Sequence, residues 1–222
     1  MDGLLVDSEP LWHEAEVEIL GALGVPLVTD ACRQTKGMFV REVTHFWHER
    51  YPWSGPSTIE VADEIVDRVI ELVTTRGVLL PGVEQAIATC RQGGARLAVA
   101  SSSEYRLISV VLSHFDLVGY FEFAYSAEEE PYGKPNPGVF LTAASRLGVA
   151  PANCVVFEDA AAGVLAAKAA KMLCVAVPEP SERDSPGFVI ADVVLESLSQ
   201  VDGALWDELN DRLTADPLSS PR

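Results

Sequence analysis

From Leu79-Leu80-Pro81-Gly82 onward the chain falls into a rhythm that few folds accommodate: short, nearly unbroken apolar runs alternate with stretches of helical periodicity. The runs are Leu97 to Ala100, Phe121 to Tyr125, Cys154 to Phe157 and Cys174 to Val177. Between them Val83 to Arg91, the segment from Ser103 through Leu112, Val139 to Leu147 and the Ala-rich stretch from Ala160 read as helices, with Gly93-Gly94 ending the first. A strand that is apolar on both sides must be covered on both faces, and strands separated by helices run parallel. The expectation is therefore an α/β domain built on a parallel sheet. In such sheets ligands gather at the carboxyl ends of the strands. The polar residues there are Ser101 and the pair Glu158-Asp159, with Asp2 at the start of the chain.

Upstream the grammar is different. Asp7 or Ser8 can cap a helix whose first turn holds Glu9 and Pro10, residue types suited to a positive helix end. Leu11, Trp12, Ala15, Ile19, Leu20 and Leu23 then recur at helical spacing until Gly24. Thr35 to Trp53 holds a short helix broken by Pro52, Gly55 and Pro56. Ala62, Ile65, Val66, Val69, Ile70 and Val73 mark an amphipathic helix. Residues 13–79 thus read as an all-helical insertion, leaving 1–12 and 80–222 as the core domain. The tail Asp216 to Arg222 is expected to fray.

The 222 residues carry 33 acidic against 16 basic side chains, a formal charge of −17. Long-range attraction to nucleic acid or an anionic membrane surface is excluded on that balance. No apolar run approaches the ~20 residues of a membrane span. Cys32, Cys90, Cys154 and Cys174 are widely spaced and form no C-x-x-C pair, which suits free thiols in a reducing compartment. A cytoplasmic, monomeric protein is expected.

Met1-Asp2-Gly3-Leu4-Leu5-Val6-Asp7-Ser8 resembles the first motif of the haloacid dehalogenase superfamily, which reads Asp-x-Asp-Gly-x-x-x-Asp-Ser behind a buried strand. Ser101 resembles the second motif, Lys134 in Tyr132-Gly133-Lys134-Pro135 the third, and Glu158-Asp159 before Ala160-Ala161-Ala162-Gly163 the fourth. The insertion resembles the small cap of the β-phosphoglucomutase-like subgroup, and Ser8-Glu9-Pro10-Leu11-Trp12 is most similar to its hexitol and 2-deoxyglucose-6-phosphate phosphatase branch. The resemblance implies a Rossmann-like parallel sheet with a helical cap inserted after the first motif. It also implies that the central first strand is truncated: Met1 stands at the x position, and the nucleophilic Asp ahead of it is not among these residues. The activity that the resemblance implies is that of a Mg²⁺-dependent phosphatase of small phosphorylated sugars or sugar alcohols, acting through an aspartyl phosphate that these residues alone could not form.

The chemistry of phosphate-ester hydrolysis calls for the same residue types. A protein at −17 must offer a phosphoryl group local positive charge or fixed donors, which Lys134, Ser101 and Ser102 can supply. Asp159, helped by Glu158, offers the hard oxygen ligands that Mg²⁺ prefers, and the resemblance adds the residue at Asp2 as a further ligand. The Asp2 carboxyl would serve as general acid and base. Arg41, or Lys36 beside Gly37, could reach from the cap to the substrate's distal part. His45 and His48 have a metal-compatible spacing but no third ligand. Glu128-Glu129-Glu130 reads as a solvated acidic turn. The other functions that fit are a phosphosugar mutase of the β-phosphoglucomutase type and a non-catalytic protein that binds phosphometabolites. A Schiff-base relative would require Lys36 as its cap lysine.

Overall fold

The structure, a computed structural model, describes residues 1–215, so the expected fraying of Asp216 to Arg222 lies outside the described residues. The chain opens in a tight turn at Gly3, whose φ is +61°. Four helices come next: α1 (Glu9–Ala22), α2 (Thr29–Cys32), α3 (Val40–Arg50) and α4 (Thr58–Arg76). Ser57 starts α4 with a reciprocal cap, its backbone N–H donating to Glu60 Oε2 at 2.8 Å while its hydroxyl accepts from the Glu60 N–H at 3.2 Å. The stripe Val61, Ala62, Ile65, Val66, Val69 and Val73 is wholly buried. It packs on α1 and α3, and the helix also leans on the core helix α6 (Tyr105–His114).

Ser8 occupies the N-cap position of α1, but its side chain does not cap. Its hydroxyl donates instead to Asp2 Oδ1 at 2.9 Å, the stronger bond because the acceptor is ionised.

The rest of the chain alternates: α5 (Val83–Gln92), β1 (Ala98–Ser101), α6, β2 (Phe123–Ser126), α7 (Gly138–Leu147), β3 (Val155–Glu158), α8 (Ala161–Ala169), β4 (Leu173–Ala176), β5 (Val193–Val194) and α9 (Gly203–Ala215). All strand pairs are parallel, as the apolar runs require. Two segments join the helical insertion to this core, and they are stitched together. Val6 bridges Leu79, the Asp7 N–H donates to the Val78 carbonyl at 3.0 Å, and the Leu80 N–H donates to the Leu5 carbonyl at 3.0 Å.

The strands form two sheets rather than one, ordered β1-β2 and β3-β4-β5. The edges of β1 and β3 that carry no ladder both face an apolar cleft of about 440 Å³, lined by Val99, Ala100, Val156 and Phe157 together with Met1, Leu4 and Leu5. The two sheets thus flank this cleft from either side. Even so, Ser101 and Glu158 end their strands on the same side, facing the helical insertion. The thiols are free, with Cys32, Cys90 and Cys174 buried.

Candidate active site

Strand ends and insertion enclose a second cleft of about 90 Å³. The core contributes Asp2, Ser101, Ser102, Ser103, Lys134, Glu158 and Asp159. Helix α1 contributes Trp12, His13 and Glu16, and the loop Thr35 to Met38 of the insertion completes the lining. Residues from all four motifs, scattered over the sequence, thus meet around one space.

Asp2 is held by three donors. Trp12 Nε1 donates to its Oδ1 at 3.1 Å, Ser8 Oγ donates to the same oxygen, and Ser103 Oγ donates to Oδ2. Donors from both sides of the carboxylate leave it one orientation. Trp12 and Ser103 are functional contacts that sequence reasoning misses. Trp12 reads as one more member of the apolar stripe of α1, although an indole N–H that is half-buried needs a partner. Ser103 is legible only as the third of three serines.

At the end of β1, Ser101 Oγ donates to Ser103 Oγ and accepts from the Ser103 N–H, each at 3.1 Å. This closes a small serine turn. Ser102 Oγ is buried at the cleft without a hydrogen-bond partner among the described residues. A buried hydroxyl left unpaired is costly unless something else binds it, and an anion's oxygen would.

Lys134 and Glu158 form a buried ion pair, their side chains 7% and 6% exposed. Gly163 is required beside them, because a Cβ there would lie 2.1 Å from the Glu158 carboxyl carbon. Asp159 sits against Gly3, where a Cβ would meet Asp159 Oδ2 at 2.2 Å. Burial, followed by the Glu158 charge, pushes the Asp159 carboxyl up to about 7. Lys36 reaches down from the insertion into a ring of carboxylates, 2.8 Å from Glu182, 3.4 Å from Glu179 and 4.0 Å from Asp159. Burial lowers the Lys36 pKa, but Glu182 and its neighbours outweigh that and raise it overall. It is therefore a fixed ammonium rather than a Schiff-base amine.

Arg41 is not brought to the cleft. It lies on α3, half exposed, with Nε 3.7 Å from Glu104. His45 and His48 do not converge either: His45 pairs with Glu49 at the surface, and His48 Nδ1 accepts from the Trp53 N–H. The acidic turn is less solvated than expected. Glu130 Oε1 accepts from the Tyr125 and Thr142 hydroxyls at 2.7 Å, and Glu128 Oε2 accepts from the Tyr105 N–H at 3.1 Å.

The charges around the cleft test whether a divalent cation fits. Asp2, Glu9, Glu16, Glu158 and Asp159 face Lys36 and Lys134, so the lining is acidic where an anionic phosphoryl group would have to enter. Among the described residues no group of three or more His, Cys, Asp or Glu closes into a ready metal cage. Mg²⁺ does not require one, because it takes one or two carboxylates and keeps several waters. Asp159, a hard oxygen donor whose pKa burial raises, fits it.

A family model described as haloacid dehalogenase-like hydrolase matches residues 1–171. Hexitol phosphatase B of Escherichia coli (strain K12) is 43% identical over 202 residues, covering 90% of this chain and 91% of that protein. Fructose-1-phosphate phosphatase of the same organism is 32% identical over 179 residues, covering 78% and 90%. Among solved structures, CbbY from Rhodobacter sphaeroides in complex with phosphate superposes with a TM-score of 0.80 at 25% identity, covering 90% and 93%. In fold, β-phosphoglucomutase from Clostridium difficile is similar at a TM-score of 0.82 and 24% identity, covering 97% and 96%.

Proposed function

This chain belongs to the haloacid dehalogenase-like hydrolase family, and from that premise we propose that its smaller cleft is the site of a Mg²⁺-dependent phosphatase for small phosphorylated sugars or sugar alcohols. The observation that carries the reading is the meeting of Asp2, Ser102, Lys134 and Asp159 at one acidic cleft with an unpaired hydroxyl. The likeness to sugar-phosphate phosphatases is closer in sequence than the likeness to a mutase, which is one of fold. Free buried thiols suit a cytoplasmic address, and the protein is expected to act as a monomer. Among the described residues no helix is long and apolar enough to cross a membrane.

In this reading Ser101 shapes the turn, and Ser102 and Lys134 hold the phosphoryl oxygens. When bound on Asp159, Asp2 and the nearby Glu158, Mg²⁺ would supply the positive charge that the acidic lining lacks. Asp2, held in one orientation, is the general acid toward the leaving hydroxyl and then the base toward water. The cleft lies between the strand ends and the insertion, so movement of the insertion against the core would admit the ester. Closure then shields the reacting ester from solvent.

The family resemblance calls for a carboxylate facing phosphorus for in-line attack. Asp2 is already engaged by three donors, Glu158 by Lys134, and Asp159 lies beside Lys36. These carboxylates are therefore assigned to binding, orientation and proton transfer rather than to attack on phosphorus. The test is phosphate release from a panel of sugar and sugar-alcohol phosphates with Mg²⁺, on this chain and on one carrying a short apolar strand that ends in Asp ahead of Met1. Release by the extended chain alone supports the reading. No release by either, with Mg²⁺ binding unaltered in Asp159→Asn, sinks it.

A further inference from the structure

One carboxyl at the cleft has no part in the chemistry above. Glu16, on α1, keeps 7% of its surface, and its Oε2 is buried with no hydrogen-bond partner among the described residues. We propose that Glu16, with His13 and Glu9 beside it, is a specificity subsite that binds a hydroxyl of the substrate's uncharged arm and rejects substrates with a second anionic group there. The proposal rests on the phosphatase reading, because it takes the strand ends to hold the phosphoryl group.

The placement carries the argument. Asp2, Ser102, Lys134 and Asp159 stand at the strand ends, whereas Glu9, His13 and Glu16 line the cleft from α1, and Cys32 and Thr35 line it from the insertion. A buried polar atom with no partner costs folding free energy, and the cost is removed when a ligand donates to it. His13 Nε2 is 3.2 Å from Glu9 Oε1 yet off the hydrogen-bonding direction, so it too is open to a ligand. The Cys32 thiol and His13 favour the charged form of Glu16, but burial outweighs them, and Oε2 keeps no partner among the described residues. The Cys32 thiol is held protonated, pushed up to about 12, and Glu9 adds negative charge. Burial pushes Glu16 itself up to about 7, so it offers a carboxylate oxygen or an acid O–H to a hydroxyl. A second phosphate would meet two carboxyls, Glu9 and Glu16, against the single imidazole of His13 in poorly solvated space, and the two carboxyls would oppose it. An open-chain polyol monophosphate satisfies both demands.

The experiment is calorimetric titration of this chain with Mg²⁺ present, using inorganic phosphate, sorbitol 6-phosphate and fructose 1,6-bisphosphate. Wild type is expected to bind sorbitol 6-phosphate about tenfold tighter than phosphate, the scale of one hydrogen bond to a charged group. Glu16→Leu should erase that preference while leaving phosphate affinity intact, and Glu16→Gln should tighten the bisphosphate several-fold. An unchanged preference in Glu16→Leu overturns the subsite alone. Equal losses for phosphate and sorbitol 6-phosphate overturn it in favour of a structural role. If wild type binds neither phosphate nor sorbitol 6-phosphate, the underlying reading falls and the subsite with it. Should Glu16→Leu fail to fold, Glu16→Gln decides: bisphosphate binding unchanged from wild type overturns the proposal.

Discussion

Trp12 Nε1 lies 3.1 Å from Asp2 Oδ1, so the first turn of α1 holds the carboxyl proposed as general acid. Ser8 Oγ reaches the same oxygen at 2.9 Å. Local folding of α1 and orientation of Asp2 are therefore one event.

Trp12→Phe keeps the ring and removes the donor. A hydrogen bond to a charged group contributes about 1.5–3 kcal/mol net. At about 2–4 °C per kcal/mol for a chain of this size, the melting midpoint should fall by roughly 3–12 °C. A double-mutant cycle with Asp2→Asn, monitored by circular dichroism, checks the assignment: the two effects should be clearly less than additive. Additive losses would mean the indole contributes through packing alone.

Lys134 and Glu158 form the most buried ion pair of the cleft. Removing one partner of such a pair costs about 3–5 kcal/mol because the other is left buried and charged. Lys134→Met should therefore lower denaturation midpoints far more than the paired replacement Lys134→Met with Glu158→Leu, and it should abolish phosphate binding. Urea titration separates the two, and equal destabilisation by both would contradict the buried-charge argument.

Mg²⁺ should stabilise the protein by mass action. At a concentration one hundred times its dissociation constant the gain is about 2.7 kcal/mol. A melting series in Mg²⁺ should rise in wild type and stay flat in Asp159→Asn. A flat series in wild type removes the metal from the reading.

The core is legible because its strands are apolar runs that admit only a covered parallel arrangement, and β1 to β4 fall within a residue or two of those runs. The two-residue β5 is not, since Val193-Val194 is too short to show a period. Helix α9 escapes notice although Leu205, Trp206 and Leu209 stand at helical spacing, because the chain around them is strongly polar. Motif residues meet where chain order implies. The contacts that sequence cannot give are those depending on distance across the cleft. Lys36 finds Glu179 and Glu182 some 143 and 146 positions away, Ser103 finds Asp2, and Arg41 turns to Glu104 instead. A charged side chain announces that it needs a partner, but only the packed chain decides which.

Glu16 gives the sharpest pH dependence. Its carboxyl titrates near 4.5 when exposed and at about 7 in the fold, chiefly because it is buried, with Cys32 and His13 opposing and Glu9 reinforcing. Between those values the unfolded chain has lost a proton that the folded chain keeps, so stability falls as pH rises through this window and levels off above it. At about 1.4 kcal/mol per unit, the burden near neutrality is on the order of 3 kcal/mol. Glu16→Leu should match wild type below pH 4.5 and exceed it by a margin that grows up to about pH 7. Asp159, which Glu16 does not perturb, cancels in the difference between the two proteins, whereas His13, whose pKa Glu16 helps raise, contributes to it. Urea denaturation from about pH 4 to about pH 8 measures that difference. A margin that does not vary with pH would show that Glu16 keeps an ordinary carboxylate pKa, and that its unpaired oxygen is reached by water.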